Sequence, residues 1–206
     1  MLLQYIKENY KPNEPIFASD IELPLTDVNL RQKLKMLCDN GDLCRYDAGV
    51  YYYGSSSKIK GATPLSSDEV AYRKYIDRKN SVEGYYSGYS FANQLGLSTQ
   101  VPFSTEIVSN LTSAKVRKVS IKGRKLVIRK PRVKVDAKNA SALQMLDLLK
   151  DLEIYSEKPA KECRRTLAKF IKDAKITKTK FDECLEFYPE RTYKNLYKTG
   201  LYEAFA

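Results

Sequence analysis

Between Thr26 and Tyr53 the sequence changes its apolar spacing once, and that change limits the folds open to it. Leu30, Leu34, Leu37 and Cys38 stand at i, i+4, i+7 and i+8, one face of a helix that Thr26 is suited to cap. Asn40-Gly41 ends the helix, because glycine accepts the left-handed conformation after a last turn. The next run, DLCRYDAGVYYYG, holds two aromatic and β-branched segments around Asp47-Ala48-Gly49 and reads as a hairpin. Upstream, Leu2 or Leu3, Ile6 and Tyr10 keep helical spacing until Pro12. Ile16 and Phe17 suit a short strand, and Ser19 or Asp20 caps a brief helix stopped by Pro24. Helix, strand, helix, helix and hairpin is the order of a winged helix-turn-helix, expected over residues 1–56.

Residues 57–66 are turn-rich and read as a linker to a second domain over 67–206. Ser66 and Glu69 form a capping box for a helix through about Arg78. Tyr89 to Leu95 reads as a short helix with Gly96 as its stop, and FSTEIVSNLT as a strand. Across Lys122-Gly123, Val119 and Ile121 alternate with Lys118, Ser120 and Lys122, while Leu126 and Ile128 alternate with Lys125, Val127 and Arg129. That parity predicts a hairpin with one apolar and one largely basic face. Leu143, Leu146 and Leu149 mark a helix, and Cys163, Leu167, Phe170, Ile171 and Ala174 a second. Thr179 with Asp182 caps a third around Phe181, Leu185 and Tyr188, and Pro189 opens a fourth with Tyr193, Leu196 and Tyr197. The expected class is α+β: a winged helix, then a mixed domain with a small basic antiparallel sheet and C-terminal helices.

Charge is concentrated rather than spread. The net formal charge is +11, yet residues 1–60 carry 8 basic and 8 acidic side chains, whereas residues 115–135 carry 10 basic and none acidic. A polyanionic partner is implied, met chiefly by Lys115, Arg117, Lys118, Lys122, Arg124, Lys125, Arg129, Lys130, Arg132 and Lys134. On the helix after Thr26, turning the leucines inward leaves Thr26, Asn29, Gln32, Lys33, Lys35 and Met36 outward, with Arg31 on the flank. Asn and Gln pair bidentately with adenine, and Lys reaches guanine or phosphate. Arg45 and Tyr46 in the wing are expected to contact the DNA backbone. The alternative for this helix is a solvated face on a protein-interaction module.

Several classes of chemistry are excluded or unsupported. The chain has no histidine, which removes the commonest general base and metal ligand and excludes histidine-dependent hydrolases and zinc enzymes. Cys38, Cys44, Cys163 and Cys184 match neither a disulfide framework nor paired zinc knuckles and are expected as buried, inert thiols. No Glu-x-Lys of a restriction-type nuclease, no phosphate-binding glycine loop and no Gly-x-Ser-x-Gly elbow occurs. The expectation is therefore a non-enzyme without metal or cofactor. No leader-like segment or long apolar run is found, which predicts a cytoplasmic protein without membrane contact.

LRQKLKMLCDNGDLCRYDAGVYYY, followed by SGYSFANQLGLSTQVPFSTEIVSNLTSAKVRKVSIKGRKLVI, resembles the AbiEi-like antitoxin family of bacterial type IV toxin-antitoxin systems. The most specific element is the string from Ala92 to Pro102, and the resemblance covers roughly residues 1–135. It implies an antitoxin that represses its own operon at inverted-repeat operators, functionally linked to a nucleotidyltransferase-fold toxin without a stable complex. Within the string, Ser98, Thr99 and Gln100 either donate hydrogen bonds to a phosphate or partner, or set a turn leading into a strand. Two rival readings of the basic hairpin stand beside duplex binding: a face for an acidic protein, and an RNA-binding sheet with aromatic stacking platforms.

Overall fold

The structure is a computed structural model that describes residues 1–54 and 65–205. Most of the expected linker lies outside the described residues. The chain is α+β and divides into two compact units, Met1–Lys74 and Tyr75–Ala206. Among the described residues no helix is long and apolar enough to cross a membrane.

In the first unit, α1 (Leu2–Asn9) leads to β1 (Ile16–Phe17), a single 3-10 turn at Ala18–Asp20, and α2 (Asp27–Asp39). β2 (Cys44–Asp47) and β3 (Val50–Tyr52) follow, and the three strands form a sheet in the order β1-β3-β2. Thr26 caps α2 as its sequence predicts, its hydroxyl accepting from the Asn29 amide at 3.3 Å. Gly41 and Gly49 hold φ of 80° and 70°, which ends the helix and closes the hairpin. Leu34 is the fully buried residue of the α2 stripe and joins Leu2, Ile6, Ile16, Ile21, Leu43 and Tyr51 in one core. Leu30, Leu37 and Cys38 flank that core. The unit ends in α3 (Ser67–Tyr75), where the Ser66 hydroxyl accepts from the Glu69 amide at 3.0 Å.

The helix expected to run to Arg78 stops at Tyr75. Residues 77 and 78 (β4) instead pair with 81 and 82 (β5) around Lys79 and Asn80, both at positive φ. A two-residue turn of that hand holds a tight hairpin and cannot continue a helix.

The second unit is built on a four-stranded sheet, β6 (Gly84–Tyr86), β7 (Thr105–Ser109), β9 (Arg124–Arg129) and β8 (Val116–Ile121), in that spatial order. The β8–β9 hairpin is antiparallel and turns at Lys122-Gly123, both at positive φ, in the register that alternation predicts. It joins β7 through a parallel pairing, Thr105 opposite Leu126 and Ile107 opposite Ile128, so the sheet is mixed. β6 has no counterpart among the elements expected from sequence.

α4 (Gly88–Gln94) and α5 (Ala140–Lys150) pack on the β6–β7 half of one sheet face, where Tyr85 and Val108 enter the main core. α5 is buried on nearly every side, with Leu143, Met145, Leu146 and Leu149 sealed from solvent. α6 (Leu152–Tyr155), α7 (Ala160–Asp173), α8 (Lys178–Leu185) and α9 (Glu190–Thr199) complete the helical layer. The cap of α8 is Thr177, accepting from the Lys180 amide at 3.3 Å, not Thr179 two residues on. On α9 the inward residues are Thr192, Asn195, Leu196 and Thr199. Tyr197 is 87% exposed, because Asn195 turns inward to donate to the Leu149 carbonyl at 2.8 Å. A satisfied polar face therefore displaces the tyrosine stripe that spacing alone favours.

Candidate nucleic-acid interface

On α2, Asn29, Arg31, Gln32, Lys33 and Lys35 are exposed, and their side chains make no ion pair or hydrogen bond among the described residues. Burial of Leu34 fixes this orientation for Gln32, Lys33 and Lys35, which lie one or two positions from it and so point elsewhere. Thr26 is also exposed, but its hydroxyl is already engaged in the cap. Met36 extends the same surface.

The β2–β3 hairpin differs from expectation at one position. Arg45 is exposed, with its Nε donating to the Asp47 carbonyl at 3.4 Å. Tyr46 is only 4% exposed, and its hydroxyl lies 3.2 Å from that of Ser67. The β2–β3 ladder shifts register between Arg45 and Asp47, so Tyr46 is the extra residue of a bulge and its ring turns inward. Tyr46 therefore leaves the expected contact surface and joins the interior.

The cations of residues 115–134 are exposed except Arg129, which is half-buried. The sheet register divides them. Lys118, Lys125 and Arg129 share one face with Ser120 and Val127, whereas Arg117 and Arg124 share the opposite face with Val119, Leu126 and Ile128. Apolar parity is kept, yet the basic residues are not confined to one side. Arg124 donates to the Thr105 hydroxyl at 3.1 Å, and Arg132 lies over the Tyr188 ring, 5.3 Å from its centroid. Lys115, Lys118, Lys125, Lys130 and Lys134 have no ion pair among the described residues.

Arg129 is compensated from outside the stretch. Its guanidinium meets the Glu106 carboxylate at 2.8 Å, and the pair is partly shielded from water. Glu106 also abuts Gly88, where an added Cβ would stand 2.6 Å from its Oε1. Burial, then this neighbouring carboxylate, push the Tyr155 hydroxyl up to about 12. On its own face of the sheet, Glu106 thus marks the border between the helix-covered half and the open half on β8 and β9.

Phe103 stands on that border, 82% exposed, with Val101 two residues earlier at 91%. The Lys125 ammonium lies 4.0 Å from the Phe103 ring centroid. Phe103, Ser104, Lys118, Ser120, Lys125 and Val127 line a shallow hollow of about 360 Å³. The sequence places Phe103 at the start of a strand. Pairing begins only at Thr105, which leaves the ring in the connecting segment.

The donors of Ser98 and Thr99 are already used within the unit. Ser98 Oγ, the Thr99 amide and Thr99 Oγ1 all donate to the Glu157 carboxylate at 2.9–3.1 Å. The Thr99 amide is the chief reason the Glu157 carboxyl sits below its usual range. The Gln100 amide donates to Ser98 Oγ at 3.1 Å, the turn geometry that the sequence also allows. Among the cysteines, Cys163 and Cys184 are buried as expected, Cys38 is half-buried and Cys44 is exposed on β2. No group of three or more metal-ligating side chains forms among the described residues.

None of the curated proteins matches this chain. Residues 8–178 match the family of unknown function DUF6088, and the chain belongs to that family.

Proposed function

We propose that the protein is a DNA-binding transcriptional regulator whose first unit acts as a winged helix-turn-helix. In this reading α2 lies in the major groove, and Asn29, Gln32, Lys33 and Lys35 read base edges or clamp phosphates. The observation that carries it is the α2 surface: five polar or basic side chains, all exposed and unengaged among the described residues, on a helix held by a capped start and a buried Leu34. The order of helices and strands, followed by a two-stranded hairpin with Arg45 exposed, supports the same reading. Nearly all the electrostatic affinity comes from the second unit, because the first carries balanced charge.

The resemblance of residues 1–135 to AbiEi-like antitoxins extends this to an antitoxin that represses its own operon at an inverted repeat. A nucleotidyltransferase-fold toxin would be its functional counterpart.

Gel shift of the full chain on its own upstream DNA tests the proposal. Nanomolar binding to an inverted repeat is expected, weakened by Lys33→Ala with Lys35→Ala, with the salt slope reduced by about 0.9 for each phosphate no longer neutralised. Equal binding to operator and scrambled duplex at physiological salt overturns it. The antitoxin extension is read separately, as relief of growth arrest when the chain is co-expressed with a nucleotidyltransferase encoded beside it.

A further inference from the structure

One face of the second unit's sheet is buried at Ile107, Ile121, Leu126 and Ile128, and the other is covered over only half its width. Tyr85 and Val108 on that face are buried under helices, but Lys118, Ser120 and Lys125 across the sheet are exposed and Val127 is half-buried. These four form two directly facing cross-strand pairs, Lys118 with Val127 and Ser120 with Lys125. Phe103 rises beside them, and the hollow between is bounded by the two lysines.

An exposed phenylalanine is costly to keep in water, and a duplex can take its ring between bases only by unstacking a step and kinking. A single strand offers what this face lacks, an unpaired base for the ring and a phosphate for each neighbouring cation. Charge favours the same occupant, since residues 115–135 contain no carboxylate and the Glu106 carboxylate on this face is engaged by Arg129. The Lys125 ammonium lies over one face of the Phe103 ring, and the residue is still 82% exposed. A nucleotide stacked there would bring its own phosphate toward Lys125.

We propose that the open β8–β9 face is a binding site for single-stranded nucleic acid, with Phe103 stacking on an unpaired base and Lys118 and Lys125 holding the flanking phosphates. This rests on the reading of the hairpin as a nucleic-acid surface and is independent of operator recognition by α2.

The test is fluorescence anisotropy of the full chain with a labelled oligo-dT of about fifteen nucleotides and with a mixed-sequence duplex of equal length, across a salt series. Phe103→Ala should weaken oligo-dT binding about tenfold, a stacking loss, while leaving its salt slope and the duplex affinity unchanged. Phe103→Tyr should restore it. Lys118→Ala and Lys125→Ala should each lower the single-strand salt slope by about 0.7. As a control, Lys169→Ala with Lys172→Ala on α7 removes equal charge and should leave oligo-dT binding far less affected than the hairpin pair.

Three results overturn the proposal. The first is Phe103→Ala binding oligo-dT as the parent does. The second is equal weakening on single strand and duplex, and the third is no oligo-dT binding by the parent at low salt, which gives the face to a protein instead. Failure of operator recognition would leave the Phe103 comparison intact, so the two readings fall separately. Because Phe103 is exposed, an unchanged melting temperature is expected and confirms that the variant folds.

Discussion

Tyr85 donates its hydroxyl to the carboxylate of Asp147 at 2.9 Å, joining an outer strand of the sheet to the centre of the most buried helix. Asp147 is buried, and that burial raises its carboxyl above the ordinary value of 3.8, opposed by Lys150, Tyr85, Tyr188 and Arg132. Lys150 reaches it only at 4.0 Å and also serves Asp151 at 3.1 Å.

A carboxyl whose folded-state pKa is raised binds its proton more tightly in the native state than in the unfolded chain. Its contribution to stability is therefore complete below about pH 4 and is lost as pH rises through the folded value. Asp147→Asn keeps an acceptor for Tyr85 and removes the buried charge. It should melt a few degrees above the parent at pH 7, and the two curves should converge as pH falls toward 4. A variant that melts well below the parent at neutral pH would mean that the ionised carboxylate is a net benefit.

Glu157 behaves in the opposite sense. Its pKa is depressed, first by the Thr99 amide and then by the Ser98 and Thr99 hydroxyls. The stability it adds is present above the unfolded value of 4.5 and disappears as pH falls through the folded one. Glu157→Gln should lower the melting temperature modestly at pH 7 and leave it unchanged in acid. Faster amide exchange at Thr99 and Gln100 in the variant would locate the loss at this clamp.

Gly88 and Gly49 separate strain from collision. Both hold positive φ, at 58° and 70°, but a Cβ at Gly49 meets nothing within 4 Å, whereas at Gly88 it meets the Glu106 carboxylate. Gly49→Ala should lose about 1–2 kcal/mol from backbone strain. Gly88→Ala should lose more, because Glu106 must move and its 2.8 Å pairing with Arg129 goes with it. Equal losses in denaturant titration would show that Glu106 shifts freely.

Leu34→Ala removes the residue that orients α2, and a loss of about 2–5 kcal/mol is expected for a leucine sealed in a core. Hydrogen exchange along Asp27–Asp39 should accelerate with it, and sequence-specific DNA binding should fail together with protection. Retained protection in α2 would place its stability outside that core.

The sequence is most legible where a helix, its cap and its stop lie within a few residues. Thr26, the Leu34 stripe and Gly41 are of this kind, and so is the β8–β9 hairpin, whose parity and turn are local. Features fixed by distant partners are not legible. Tyr46 follows the exposed Arg45 and points to the other side of the strand, where its partner, Ser67, lies twenty-one positions on and gives no local signal. Tyr197 completes a plausible apolar stripe, but the carbonyl that draws Asn195 inward belongs to Leu149, forty-six positions earlier. β6 escapes a local reading because Gly84-Tyr85-Tyr86 gains strand character only from pairing with β7. At the candidate interface, charge clustering marks the hairpin as a region, while the split of its cations between two faces and the exposure of Phe103 require the register.

β8 lies at the outer edge of its sheet, beside β9, and beyond it no further strand of that sheet stands among the described residues. Such an edge presents backbone donors and acceptors to any extended chain that approaches, including another copy of this one. Charges on an edge strand oppose edge-to-edge pairing, and Arg117 and Lys118 lie along this one with Lys115 at its start. Charge-removing variants of the hairpin should be compared at matched low concentration, since precipitation rather than weakened ligand affinity is the first behaviour that an uncharged edge would bring.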